Sequence, residues 1–172
     1  MTERRGLVTS GGKPVTLIGN GVRVGDNAPD ATLVANDLST VRLSSYFGKV
    51  LVVVVVSSLD TSVCDLETRR FNAEAAGLGD EVRVLTVSMD LPFAQKRWCG
   101  AAGVDRVETL SDHREAEFGR AWGVLMKESR LLARAVFVVD RAGIVRYIQL
   151  VSDVGKEPDY AAVLAAVREV AA

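Results

Sequence analysis

Seven consecutive apolar residues, Val50 to Val56, six of them valine, constrain this chain more than any other feature. β-branched side chains crowd a helix and pack well on a pleated strand. A run with no polar alternation means both faces of that strand are covered, the situation of a central strand in an α/β sheet. It is far too short for the ~20 residues a membrane-spanning helix needs. The run empties into SSLDTSVC (Ser57 to Cys64), a hydroxyl-rich turn ending on a cysteine. A helix is predicted next, from Ser62 to Ala76, capped by Thr61 or Ser62 and ended by Gly77 and Gly79. Cys64, Thr68, Phe71, Ala75 and Leu78 recur along it at four- and three-residue steps and form one inward stripe.

The remaining segments supply the partners of that strand. Apolar and polar residues alternate between Gly and Asn turns near the N-terminus, which predicts a β-hairpin over about 7–25. A second core strand is expected over Val82–Asp90, then a short helix with Asp90 as cap, Pro92 in its first turn and Cys99 near its end. Asp112 and Glu115 suggest a capping box for a helix running from His113 to Trp122. ARAVFVVDRAGIVRYIQLV reads as a hairpin turning over Asp140–Gly143, and a last helix starts at about Pro158. This order predicts an α/β, thioredoxin-like fold in one domain spanning residues 1–172. Its mixed central sheet is flanked by helices and carries the N-terminal β-hairpin.

Composition removes several classes of function. Lys and Arg number 21 against 22 Asp and Glu, a balance without the basic footprint of a nucleic-acid binder. MTERRGLVTSGG has no apolar core after its arginines, so no secretory signal is expected. With no span either, a cytoplasmic location and no membrane partner are expected. The two cysteines, Cys64 and Cys99, lie 35 residues apart and form no CxxC. With His113 as the one histidine they make no zinc set, so neither metal nor cofactor is expected. His113 itself reads as a surface helix residue.

Cys64 sits in the first turn of a helix just past the carboxyl end of a central strand, where ligands of open α/β sheets gather. Exposed amide N–H groups and the helix dipole there favour a thiolate, the form that attacks. Thr61 precedes it in the turn, and its hydroxyl can point at the sulfur or at an oxygen bound to it. Arg134, opening the strand RAVFVV, can reach the same end of the sheet, and Arg69 lies five residues along the helix. A guanidinium stabilises a thiolate and polarises an approaching peroxide oxygen. Asp65 opposes ionisation unless its side chain faces elsewhere. The plainer alternative is that Cys64 is a small core residue, as most free cysteines are; its position favours chemistry. Arg69 and Arg134 could equally be surface salt-bridge partners.

DTSVC with Arg69, Phe71 and Asn72 resembles the thiol peroxidase branch of the peroxiredoxins, the atypical two-cysteine type. DLPFAQKRWCGAAG (Asp90 to Gly103) is similar to the second signature of that branch, LLARAVFVVD to its arginine strand, and EPDYAAVLAAV to the start of its last helix. The likeness runs from about Lys13 to the end. It implies a thioredoxin fold, peroxide reduction by Cys64, activation by Thr61 and Arg134, and an intramolecular disulfide with Cys99 as resolving thiol. It also implies recycling by thioredoxin and a homodimer. Ser57 stands where the family motif has proline, and slower turnover or greater overoxidation is expected from it. The loop between Gly123 and Arg134 is shorter than in the family, which bears on substrate preference. Two other readings stay open: a redox sensor or relay that passes oxidation to a partner protein, and a catalytically weakened thioredoxin-like module.

Overall fold

The computed structural model describes residues 1–75, 77–103 and 106–172. Among the described residues, ten strands, four α-helices and a short 3-10 turn at Leu43–Tyr46 follow one another. The strands are β1 (Glu3–Ser10), β2 (Lys13–Ile18), β3 (Thr32–Val34), β4 (Thr40–Arg42), β5 (Val50–Val55), β6 (Val82–Ser88), β7 (Val107–Ser111), β8 (Leu125–Met126), β9 (Ala135–Val139) and β10 (Val145–Leu150). The helices are α1 (Ser62–Ala75) after β5, α2 (Pro92–Ala102) after β6, α3 (Glu117–Ala121) after β7 and α4 (Tyr160–Ala171) after β10. Seven strands form one sheet in the order β10-β9-β5-β6-β7-β3-β4, and β1-β2-β8 form a small second sheet.

The valine run is β5, and it lies inside the main sheet with β6 parallel on one side and β9 antiparallel on the other. Its side chains divide between two cores with the period of two that a strand imposes. Val50, Val52 and Val54 join Cys64 and Phe71 of α1 and Val163 and Val167 of α4. Leu51, Val53 and Val55 face the opposite layer, with Phe118 and Trp122 from around α3 and Val8, Val15 and Leu17 from the N-terminal strands. All six are buried, each side chain worth about 1.5–3 kcal/mol of transfer free energy. That two-sided demand is why the run carries no polar residue.

Several elements differ from their expected form. The N-terminal hairpin occupies residues 3–18, with β1 and β2 in antiparallel register from Glu3↔Ile18 to Ser10↔Lys13. The described part of α1 ends at Ala75; its expected last residue, Ala76, lies outside the described residues. Asp90 does not cap α2: Leu91 holds that position with Pro92 after it, and the helix ends at Gly103, whose left-handed backbone lets its N–H reach the Cys99 carbonyl. The helix expected from His113 is only α3, and His113 lies in the preceding turn. Asp112 still serves the helix start, since its carboxylate accepts from the Phe118 N–H at 3.0 Å and the Gly119 N–H at 2.8 Å. Glu115 has no part in this, because the segment up to Ala116 turns before it coils.

Candidate active site

Cys64 is fully buried in the first turn of α1, and both cysteines are free thiols. The helix holds it by its own backbone and by Thr68, whose hydroxyl donates to the Cys64 carbonyl at 2.8 Å. Arg134 reaches it from the residue before β9. One terminal nitrogen, Nη2, donates to Cys64 Sγ at 3.2 Å, and Nη1 pairs with the carboxylate of Glu67. Nε and Nη2 also donate to the Val154 carbonyl, at 3.1 and 2.6 Å. Burial works against the charge of Arg134, but Glu67 and the Cys64 sulfur outweigh it and hold the guanidinium above its ordinary range. The expected meeting of Cys64 and Arg134 at one end of the sheet is therefore present. It follows from β5 and β9 being neighbours in the sheet.

Glu67 is the residue the sequence reading passed over. It lies three residues beyond Cys64 and is as buried as the thiol, with Oε2 on Arg134 and Oε1 without a hydrogen-bond partner. Burial pushes its carboxyl up to about 7, against the lowering influence of Arg134 and helped by Glu157. The available signal was positional: 64, 67, 68 and 71 are the inward steps of a helix, and a glutamate stood on them.

Thr61 is exposed, and its hydroxyl donates to the Ser58 carbonyl at 2.8 Å, so in this state it serves the turn and not the sulfur. Ser57 is buried rather than loose, because its Oγ donates to the Leu132 carbonyl at 2.9 Å and ties the end of β5 to the segment leading into Arg134. Asp90 ties the turn from the other side, accepting from the Ser58 hydroxyl (2.7 Å), the Leu59 N–H (2.9 Å) and the Ser88 hydroxyl (2.7 Å). Arg69 is no partner of the thiol. Its Nε bonds Asp65 at 3.0 Å, its Nη1 bonds the Ala102 carbonyl at 3.3 Å, and its guanidinium lies over the Trp98 ring. Asp65 also accepts from Trp98 Nε1 at 2.7 Å, so the residue after Cys64 and the residue before Cys99 are joined.

Cys99 lies near the end of α2, half-buried, with Sγ 3.5 Å from the Thr109 hydroxyl, which donates to Asn36 at 3.1 Å. A groove of about 1060 Å³, lined by Asn36, Asp37, Val107 and Thr109 among others, opens beside it. Cys64 is buried against Arg134 at the head of α1 while Cys99 faces Thr109 of β7 near the end of α2, so the two free thiols have different neighbours and no bridge joins them. Among the described residues no group of three or more His, Cys, Asp or Glu is arranged to hold a metal. No described helix is long and apolar enough to cross a membrane.

A buried thiol at a helix start, held by a buried arginine from the neighbouring strand, on a sheet of this order, defines a thiol-dependent redox protein of thioredoxin-like fold. The redoxin family model matches residues 23–164. The chain is 59% identical over 157 residues to a thiol peroxidase of Oceanobacillus iheyensis, covering 91% of this chain and 95% of that one. It is 57% identical over 153 residues to a thiol peroxidase of Bacillus subtilis, covering 89% and 91%. A peroxiredoxin-like protein from Aquifex aeolicus superimposes with a TM-score of 0.90 at 42% identity, over 97% of this chain and 99% of that one. The chain belongs to the redoxin family, in the thiol peroxidase branch of the peroxiredoxins. It is accordingly a thiol-dependent peroxidase.

Proposed function

We propose that Cys64 is the peroxidatic thiol, with Arg134 as its activating partner, Thr61 joining them once peroxide is bound, and Cys99 as the resolving thiol. The observation that carries this reading is the 3.2 Å contact from Arg134 Nη2 to the Cys64 sulfur inside a buried pocket. A guanidinium fixed there favours thiolate and can also receive a peroxide oxygen. The thiolate attacks the terminal oxygen, the O–O bond breaks, and water or an alcohol leaves once the departing oxygen takes a proton. Sulfur is oxidised to the sulfenic acid. Cys99 thiolate then attacks that sulfur, forming the S–S bond and breaking S–O, and the departing hydroxide takes the proton that Cys99 gave up and leaves as water. Thioredoxin, through a dithiol, returns both cysteines to thiols.

The geometry supports a sequence in which the Cys64 turn and the end of α2 open locally before the bridge forms. The substrates are hydrogen peroxide and organic hydroperoxides, the compartment is the cytoplasm, and residues 1–172 act as one domain. A homodimer is part of the same reading, and the exposed Leu91 and Phe93 beside the Asp90 tie offer it an apolar surface.

The test is intact mass and free-thiol count after one equivalent of peroxide is added to the reduced protein, with Cys64→Ser and Cys99→Ser alongside. Loss of two thiols in the parent, a trapped sulfenic acid in Cys99→Ser and no reaction in Cys64→Ser are expected. A parent that keeps both thiols overturns the assignment.

A further inference from the structure

Two acidic groups share one buried cation. Cys64 and Glu67 leave α1 one turn apart, and Arg134 gives one terminal nitrogen to each. Glu67 is wholly enclosed, and its Oε1 has no hydrogen-bond partner. The other ionisable groups around it do not relieve the charge. Glu157, before α4, adds a further negative charge. Tyr160, at the start of α4, donates its hydroxyl to Glu157 at 2.8 Å, while Arg70 lies over the Tyr160 ring and bonds Glu74. If Cys64 ionises while Glu67 stays ionised, two buried anions face one guanidinium, and low-dielectric surroundings disfavour that state.

We propose that Glu67 is a positioning residue whose carboxyl exchanges its proton against that of Cys64 across Arg134, so that thiolate and carboxylate take turns at the guanidinium. This rests on Cys64 being the peroxidatic thiol. A carboxyl pushed up to about 7 by burial has its neutral form within reach near neutrality. The exchange starts from a Glu67 carboxylate and a Cys64 thiol, both on Arg134. Activation moves one proton's worth of charge, leaving a thiolate beside Arg134 and a neutral Glu67. Attack then forms the S–O bond and breaks O–O, and the electron pair leaves on the departing oxygen. That oxygen takes up one proton and Glu67 gives up one. The sum is thiol plus hydroperoxide to sulfenic acid plus alcohol, with sulfur oxidised and peroxide reduced by two electrons. The carboxylate returns to Arg134 as the sulfur loses its charge, so each product state is again one cation against one anion.

The test is the pH profile of Cys64 alkylation and of peroxide consumption in the parent, Glu67→Gln and Cys64→Ser, with Cys99→Ser as the background for all three. Glutamine mimics the neutral carboxyl permanently, so the profile of Glu67→Gln should collapse to a single step with its midpoint about one pH unit lower, a roughly tenfold larger reactive fraction below it. A midpoint equal to the parent's, or a parent profile that already has a single step, overturns the proposal, because a carboxyl that merely props Arg134 has no second step to lose. Cys64→Ser separates the two levels: if it still consumes peroxide, the peroxidatic assignment fails. If it is inactive while Glu67→Gln keeps the parent profile, only the proton exchange fails. Should Glu67→Gln not fold, carboxyl ¹³C NMR of Glu67 reads the same coupling in the Cys99→Ser background. A two-step titration there and a single step when Cys64→Ser is added is expected; identical curves overturn the proposal.

Discussion

Arg134 meets three acceptors at once: the Cys64 sulfur, the Glu67 carboxylate and the Val154 carbonyl. Only a planar guanidinium presents donors in those directions from one side chain. Arg134→Lys keeps the charge but a single ammonium cannot hold the same fork, and a charge-assisted hydrogen bond is worth about 1.5–3 kcal/mol. The second-order rate of Cys64 with hydrogen peroxide, followed by stopped flow, should fall about ten- to a hundredfold. Arg134→Met removes the cation from a buried pair, and such a loss costs about 3–5 kcal/mol. Urea unfolding should register that loss near neutral pH, with a smaller difference in acid, where Glu67 is protonated. At this scale the sequence disclosed the thiol and its arginine because a cysteine at a helix start after a core strand has few purely structural reasons to be there. It did not disclose Glu67, since a glutamate in a helix is ordinarily a surface residue and nothing in one sequence marks the one that points inward. Nor did it foretell that Ser57 would be buried and bonded, because its partner, the Leu132 carbonyl, is backbone and lies 75 positions away.

At the scale of elements, α1 and α2 are joined by Asp65 to Trp98 and by Arg69 to Ala102 and the Trp98 ring. A bridge between Cys64 and Cys99 must disturb these contacts, because Trp98 is the neighbour of Cys99. Trp122, the other tryptophan, is buried against Phe118 and donates to the Pro29 carbonyl. Oxidation by one equivalent of peroxide should therefore change the fluorescence of Trp98 alone. The change should vanish in Trp98→Phe and persist in Trp122→Phe; a change in Trp98→Phe as large as the parent's would argue against local opening of α2. Helix α3 carries a pH dependence of its own. Burial pushes the Asp112 carboxyl up to about 6 from an ordinary 3.8, although the Phe118 and Gly119 N–H groups pull the other way. A raised value means that the folded state holds the proton more tightly. The contribution is complete below about 3.8 and is lost as pH rises through about 6. Relative to Asp112→Asn, the parent should gain about 3 kcal/mol at most on acidification across that window, read from urea unfolding at each pH. The valine strand, the β9–β10 hairpin and α4 were legible because each repeats its period over five or more residues. Strands β3, β4 and β8 have two or three residues each, and β7 is buried but mixes Glu108, Thr109 and Ser111 with two apolar residues; none repeats an apolar period long enough to be read.

Over the whole molecule, the arginine that faces the thiol is held from the far end of the chain. Thr9 of β1 exchanges backbone hydrogen bonds with the Ser152 carbonyl (2.8 Å) and the Val154 N–H (3.0 Å), and its hydroxyl donates to Asp153 at 2.5 Å. Val154 in turn gives its carbonyl to Arg134. Arg4 fastens the same hairpin to the end of α3 through the Gly19 and Gly123 carbonyls. Thr9→Val removes one side-chain bond, worth about 1 kcal/mol, and should slow the reaction of Cys64 with peroxide by up to about fivefold while leaving far-ultraviolet circular dichroism unchanged. The likeness of the sequence to its family predicted the sheet and the thiol, but composition and periodicity could not predict this brace, because it is made of backbone groups that any residue carries. It has a practical side. A purification tag or a truncation at the first residues acts close to a strand that lies two links from the guanidinium touching the sulfur, although the sequence separates them by more than a hundred positions. Kinetic values from N-terminally and C-terminally tagged preparations of this enzyme are therefore not interchangeable.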